Sequence, residues 1–495
     1  MSVVWKEYSG MVQLRNRRGL CAMLALVLST SVLAQVSPAA NAPSVTAVQA
    51  WETWTDQSKL LSPVAGISFG NKAPLPLDIT VDASRRYQEV VGFGASITDA
   101  SAWLIQNRMG AAQRQGLMQE LFGKSPGLGL SFTRLTIGAS DFSMKHYSLD
   151  DVPKGQTDET LTHFSIDPMR ADVLPVVKSA LAINPQLKLM ASPWSAPGWM
   201  KTSDSLIQGR LRPQAYDAFA RYLGKFSDAM EAEGLPLFAL TLQNEPNDEP
   251  GDYPGMRVDA MSRAQFISGH LGPVLAQRAK PVRILDWDHN WIDPQSPLDV
   301  LADPKARAFV SGVAWHCYMS DDVAAQSRVH DAYPDKDAYF TECSGGEWKP
   351  HWRETLPWFM RYLVIGTTRN WAKGVLLWNL ALDENHGPHL GGCNDCRGVV
   401  TINSKTGEVT RNFDYYALAH ASRFVRPGAH RIASSSGEGR LESVAFQNAD
   451  DNSIVLIVAN LAANTRQFSV SMGGRSFAHE MPGASVATFV WNAPR

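Results

Sequence analysis

From residue 89 onward the chain alternates short apolar runs with longer stretches patterned at helical spacing. The runs are 90–97, 130–137, 187–194, 238–245, 282–288, 312–318, 338–342 and 374–380. They are too short for core helices and nearly continuously apolar, as strands covered on both faces must be. Between them, 213–233 sets Tyr216, Phe219, Ala220, Leu223 and Phe226 on one helical face. Eight strand–helix units across 89–427 predict an α/β fold, a (β/α)8 TIM barrel with enlarged loops. In such a barrel, functional residues gather at the C-terminal strand ends.

The pattern changes at Arg426-Pro427-Gly428. Within 428–495, the segments 441–447, 453–460, 467–472 and 484–491 alternate apolar and polar positions, with turns such as Asp450-Asp451-Asn452 between them. This predicts an antiparallel β-sandwich side domain. Short β-like stretches within 43–88, for example 77–81, are assigned to the same sandwich.

The first 34 residues read as a signal peptide. Arg15, Arg17 and Arg18 precede an apolar run at 19–33, with small residues before a cleavage point after Ala34. A second cleavage option lies at Ala40-Asn41-Ala42, and Met11 is an alternative start. The expectation is a secreted or periplasmic protein. No later segment is apolar for long enough to span a bilayer, so no integral membrane association is expected. A net charge of -2 gives no basic surface for nucleic acid. Nothing in the pattern defines an oligomeric state.

Cys21 leaves with the signal, and four cysteines remain. Cys393 and Cys396 form a C-x-x-C that reads as a local disulfide, two thiols or half a metal site; zinc is disfavoured because no second pair accompanies it. Cys317 and Cys343 are expected to be buried thiols packed behind strands.

Two carboxylates stand out where apolar runs end: Glu245 in TLQNEP and Glu342 in YFTEC. Hydrolysis of a glycosidic bond with retention needs such a pair, one as nucleophile and the other as acid and then base. Asn244, beside Glu245, suits a sugar 2-hydroxyl. Arg134 is expected to hold both glutamates. Asp141 suits two sugar hydroxyls, although a turn or N-cap aspartate fits the same position. Trp194 and Trp378 suit sugar-stacking walls. His316 and Tyr318 alternate on one run, with Tyr318 expected to bond Glu342 and His316 a sugar hydroxyl. Asp286, Asp288 and His289 read as pocket-edge or structural residues rather than metal ligands, and no metal is expected. No phosphate loop, nucleophile elbow or dinucleotide fingerprint occurs, so no cofactor is expected either.

Together the stretches VVGFGASITDA, FTRLTIGASDFS, LMASPWSAPGWMKT, LTLQNEP, AWHCYM, YFTECSGG and LLWNLALDENHGPHLGG resemble glycoside hydrolase family 30, which includes glucosylceramidase and the β-1,6-glucanases. The closing GASVATFVWN is similar to that family's sandwich. The resemblance implies a retaining β-glycosidase with Glu245 as acid/base and Glu342 as nucleophile. It also implies a terminal-sugar subsite lined by Arg134, Asp141, Trp194, Asn244, His316, Tyr318 and Trp378. The implied substrate is a β-glucoside, either glycolipid or β-glucan. The first expectation is glucosylceramidase-like, with endo-β-1,6-glucanase as the alternative. The cysteine pair in GGCNDCRGVVTIN departs from the glucosylceramidase pattern near the mouth. A transglycosidase uses the same chemistry, and a carbohydrate-binding protein without catalysis is the rival from another class. The presence of both glutamates gives the latter no support.

Overall fold

The computed structural model describes residues 46–492. The export segment expected at 1–34 lies outside them. Among the described residues no helix is long and apolar enough to cross a membrane.

Eight parallel strands close into a barrel: Gly92–Ser96, Phe132–Ile137, Lys188–Pro193, Leu237–Thr241, Arg283–Asn290, Val310–His316, Asp337–Glu342 and Ala372–Asn379. The eighth pairs with the first through Gly374 and Gly92, which completes the ring. The helix Tyr216–Ala232 buries Tyr216, Phe219, Ala220, Leu223 and Phe226, the face its spacing predicts.

The barrel interior is layered. Phe132, Met190, Ala239, Leu285, Ala314, Tyr339 and Leu376, one from each of seven strands, pack into an apolar plug. Side chains on a strand repeat their direction every second residue. Two positions past six of these plug residues stand Arg134, Ser192, Thr241, His316, Thr341 and Trp378. Strand periodicity thus lays a polar and aromatic layer directly on the plug, at the C-terminal end.

The fifth strand breaks this rule. Its pairing with the sixth shifts register between Trp287 and His289, and both Trp287 (φ 76°) and Asp288 (φ 52°) are left-handed. This bulge adds one residue, so Asp286 bonds outward to Arg263 while Asp288 joins the interior layer. It also carries the strand to Asn290, two residues beyond the expected end.

A nine-stranded sheet forms the second layer system. It contains Ala47–Trp54, Ser62–Ser68 and Asp78–Glu89 from before the barrel and six strands after it, ending with Ser485–Asn492. The long strand Asp78–Glu89 pairs antiparallel with His430–Ser434 and, at its start, parallel with Arg466–Met472. Val48, Ile79, Val81, Phe468, Phe489 and Trp491 lie in its core.

Candidate active site

The polar layer is organised on Asp288. Its Oδ2 accepts from Arg134 Nη2 (2.7 Å), Ser192 Oγ (2.7 Å) and Thr241 Oγ1 (2.9 Å). Its Oδ1 accepts from Thr341 Oγ1 (2.7 Å) and from His316 Nε2 (3.0 Å). Burial alone would raise this carboxyl; the Arg134 charge, with His316 and Ser192, holds it far below the usual range. Sequence reading placed Asp288 at the pocket edge or in the framework. It is the buried centre to which groups from five strands are tied, and Ser192, Thr241 and Thr341, each two past a plug residue, were the available signal.

Arg134 is fully buried and forks from that centre. Nη1 bonds Glu342 Oε2 at short range, and Nη2 bonds Asn244 Oδ1 at 2.6 Å. It reaches Glu342 and Asn244, with no bond to Glu245, which corrects the expectation that it holds both glutamates. With its oxygen committed to Arg134, Asn244 offers its NH2 end to a ligand. Tyr318 donates to Glu342 Oε1 at 2.9 Å, as expected. Glu342 therefore receives donors on both oxygens.

Glu245 sits differently. The fourth strand stops at Thr241, not at Glu245, because the next N–H groups bond sideways to neighbouring strand ends: Asn244 to Pro193 O (2.8 Å) and Glu245 to Asp288 O (3.0 Å). Glu245 is held at φ 47°, a strained conformation for a residue with a side chain. Its Oε1 lies 3.1 Å from His316 Nδ1 and 3.3 Å from His289 Nδ1. The sixth strand ends at His316, short of Tyr318. Both nitrogens of His316 are engaged by carboxylates, so it is not free for a sugar hydroxyl as expected. Burial would lower His316, but Glu342, Asp288 and Glu245 push it up to about 9. Glu245, His289 and His316 bring three potential metal ligands within 4.8 Å of one another, a grouping their sequence spacing does not suggest.

His316 Nδ1 is also 4.0 Å from Glu342 Oε1. The two glutamate oxygens thus face one nitrogen and are at most about 7 Å apart, which accommodates the ~5 Å of a retaining pair. Burial pushes Glu342 up, the His316 and Arg134 charges oppose it, and the Glu245 charge adds to the rise. Burial also pushes Glu245 up, but with both imidazoles donating, His289 and His316 hold it below the usual range. Which imidazole carries a proton therefore decides how the pair is charged.

A cleft of about 420 Å³ opens over these groups, lined by Asp141, Trp194, Asn244, Glu245, Tyr318, Glu342 and Trp378. Arg134 and His316 lie beneath it, fully buried. Trp194 and Trp378 stack on each other (4.9 Å, 23°), so each wall ring has one face covered by the other. Burial, with the Glu342 and Glu245 charges, raises Asp141 well above the usual carboxyl range. The 387–396 loop closes over Asp141: Leu390 N–H bonds its carbonyl (2.8 Å), and a Cβ on Gly392 would stand 2.5 Å from its Cβ. Asp252, Tyr253 and Trp348 also line the cleft, from loops whose sequences carry no periodic signal.

All four cysteines among the described residues are paired. Cys393–Cys396 closes the loop at the cleft, one of the readings left open by its spacing. Cys317–Cys343 joins the residues that follow His316 and Glu342. The expectation of packed thiols there fails because adjacent parallel strands bring both Cα atoms within 5.5 Å, inside bonding reach.

Comparison with known proteins places this geometry. A model of the glycosyl hydrolase family 30 TIM-barrel domain matches residues 90–425, and one of that family's beta sandwich domain matches 428–489. An endo-1,6-beta-D-glucanase of Neurospora crassa is 34% identical over 423 residues, 82% of this chain and 86% of its own. The lysosomal acid glucosylceramidase of Mus musculus is 28% identical over 452 residues, 86% of this chain and 85% of its own. A solved endo-beta1,6-glucanase superposes with a TM-score of 0.83 at 32% identity, covering 90% of this chain and 100% of its own.

Proposed function

The chain belongs to glycosyl hydrolase family 30, and we propose that it is an exported, retaining endo-β-1,6-glucanase with Glu342 as nucleophile and Glu245 as acid/base. The observation that carries the chemistry is the facing of Glu245 and Glu342 across one imidazole nitrogen. Glu342, supplied with donors by Arg134 and Tyr318, attacks the anomeric carbon as a carboxylate. Glu245 gives its proton to the glycosidic oxygen as that C–O bond breaks. A glycosyl ester forms on Glu342, whose charge is thereby lost. Glu245, now without that repulsion, takes a proton from water, whose oxygen attacks the anomeric carbon as the bond to Glu342 breaks, freeing the sugar and restoring the carboxylate. The Asn244 amide grips the 2-hydroxyl as charge builds on the ring.

The linkage preference rests on the relatives and on the shape of the site. Endo-1,6-glucanases align at up to 34% identity, against 28% for the mouse glucosylceramidase. A second cavity of about 440 Å³ shares Tyr318 and Trp348 with the catalytic cleft and gives room for a further sugar of a chain. Glucosylceramide hydrolysis is the second reading, because Trp358 and Phe359 give that cavity an apolar side. Export is supported by the two disulfides, which persist in oxidising compartments.

The deciding experiment sets β-1,6-glucan, glucosylceramide and aryl β-glucosides side by side. Internal cleavage of the glucan into oligosaccharides is expected; release of glucose from glucosylceramide alone would overturn the linkage. Glu342→Ala and Glu245→Ala should each lose most turnover, and azide should rescue Glu342→Ala to a glycosyl azide of inverted configuration. The same stereochemistry from Glu245→Ala would reverse the roles.

A further inference from the structure

The ladder between the sixth and seventh strands ends with His316 opposite Glu342. Beyond it the two chains part: Tyr318 enters a turn, while Gly345 and Gly346 pair with Arg397 and Cys396. Where they part, Cys317 and Cys343 are joined, directly after His316 and Glu342. Cys343 is the fixed end, because its carbonyl accepts the Trp378 N–H of the eighth strand at 2.8 Å. Cys317 is the tethered end, one residue past the last ladder pairs of the sixth strand on either side.

Tyr318, next to Cys317, carries the hydroxyl that donates to Glu342 Oε1. Its side is 40% exposed, so burial does not fix it as it fixes Arg134 on the other carboxylate oxygen. It is held through its backbone instead. The Tyr318 N–H donates to Asn290 Oδ1 at 2.7 Å, and its neighbour Cys317 is bonded to the residue after Glu342. The disulfide and the hydroxyl–carboxylate bond thus close one ring through Cys317, Tyr318, Glu342 and Cys343. Attack on an anomeric carbon needs a closely aimed carboxylate. With Arg134 alone on Oε2, Glu342 could pivot about that bond; a second donor on Oε1 stops the pivot.

We propose that the Cys317–Cys343 disulfide is a positioning element for the nucleophile: it holds the Tyr318 hydroxyl on Glu342, and its reduction by a small dithiol releases that hold and slows the reaction. The inference rests on the reading of Glu342 as nucleophile. Both cysteines line the cavity of about 440 Å³ beside the cleft, which also reaches the half-exposed Trp348 and the exposed Lys349, so a reagent of that size can enter. A thiolate of the reagent attacks one sulfur, the S–S bond breaks, and the displaced cysteine takes up a proton. The reagent's second thiolate then displaces the other cysteine, which is protonated in turn. Two electrons have passed to the protein, which holds two thiols, and the reagent leaves as its own disulfide. The enzyme therefore runs at full rate only in an oxidising compartment.

A double-mutant cycle separates positioning from general support. Cys317→Ala/Cys343→Ala should lower kcat on an aryl β-glucoside about ten- to a hundredfold, with KM within about twofold of wild type. Covalent trapping by an activated 2-deoxy-2-fluoro-β-glucoside should slow by the same factor. In Tyr318→Phe, which has no hydroxyl to hold, the same pair of changes should cost less than about threefold. Equal losses in the two backgrounds, or no loss in either, would overturn the proposal. If the alanine pair does not fold, the folded enzyme carrying Cys393→Ser and Cys396→Ser is reduced with a dithiol, and the freed cysteines are located by alkylation and mass spectrometry. A fall in kcat that reoxidation restores is expected. A bond that resists the dithiol in the folded enzyme, or an unchanged kcat once it is cut, would overturn the proposal. Failure of the nucleophile assignment is separately visible, because the trapped sugar would then sit on a peptide without Glu342.

Discussion

Asp288→Asn removes a charge without changing shape, and its consequence can be worked through bond by bond. The carboxylate accepts five hydrogen bonds, three on Oδ2 and two on Oδ1. An amide keeps one accepting end. If that end takes the Oδ2 position, Arg134, Ser192 and Thr241 stay bonded, and the NH2 faces Thr341 and His316. Thr341 can turn its hydroxyl to accept. His316, which the surrounding carboxylates push up to about 9, can accept there only by giving up its Nε2 proton and with it the charge that faces both glutamates. The opposite orientation strands Arg134 against a donor, which is worse. Arg134 also loses one of its two buried counter-charges, and breaking a buried pair costs about 3–5 kcal/mol. The wrong imidazole tautomer in a hydrolytic site costs up to about 10⁴ in kcat. The expected outcome is a folded enzyme destabilised by about 3 kcal/mol in urea unfolding, with kcat on an aryl β-glucoside down by about 10²–10⁴. A variant within about 1 kcal/mol of wild type that keeps a tenth or more of its kcat would refute the argument that Asp288 sets the protonation of the site.

Two further outcomes are expected. Trp348 is half-exposed and borders both cavities, so Trp348→Ala should raise KM for β-1,6-oligosaccharides about five- to tenfold, the equivalent of an aromatic contact of about 1 kcal/mol; equal KM for long and short substrates would refute its place on the chain path. Burial pushes Asp99 up to about 6 from 3.8, so the folded protein holds a proton that the unfolded chain releases, and stability should fall as pH rises from about 4 to 6. That loss is at most about 3 kcal/mol, less for the partial exposure of Asp99. Asp99→Asn, whose carbonyl can keep the bonds from Ser143 and Tyr147, should match wild type at pH 4 and exceed it at pH 7 in thermal melts.

Much of the architecture was readable without coordinates, because it depends on local pattern. Eight apolar runs became eight barrel strands, and five spaced side chains of one helix became its buried face. His316, read at the C-terminal end of its run, stands over the barrel mouth. Errors began where a partner from elsewhere intervened. The fourth strand was carried too far, because nothing local shows that Asn244 and Glu245 bond to Pro193 and Asp288. Cys317 and Cys343 looked like isolated thiols because their adjacency belongs to the sheet. Arg134 was expected on both glutamates, and the actual fork is set by where Asp288 sits.

The sequence by itself determined the barrel and singled out the two carboxylates as candidates, since strand period and residue chemistry are properties of neighbours along the chain. The charge surroundings of that pair were decided only in the tertiary structure. They depend on Asp288 reaching the interior through a bulge, where it gathers Arg134 and His316 beside the two glutamates. Hydrogen-bond direction depends on who faces whom across strands, and no pattern along one strand records it.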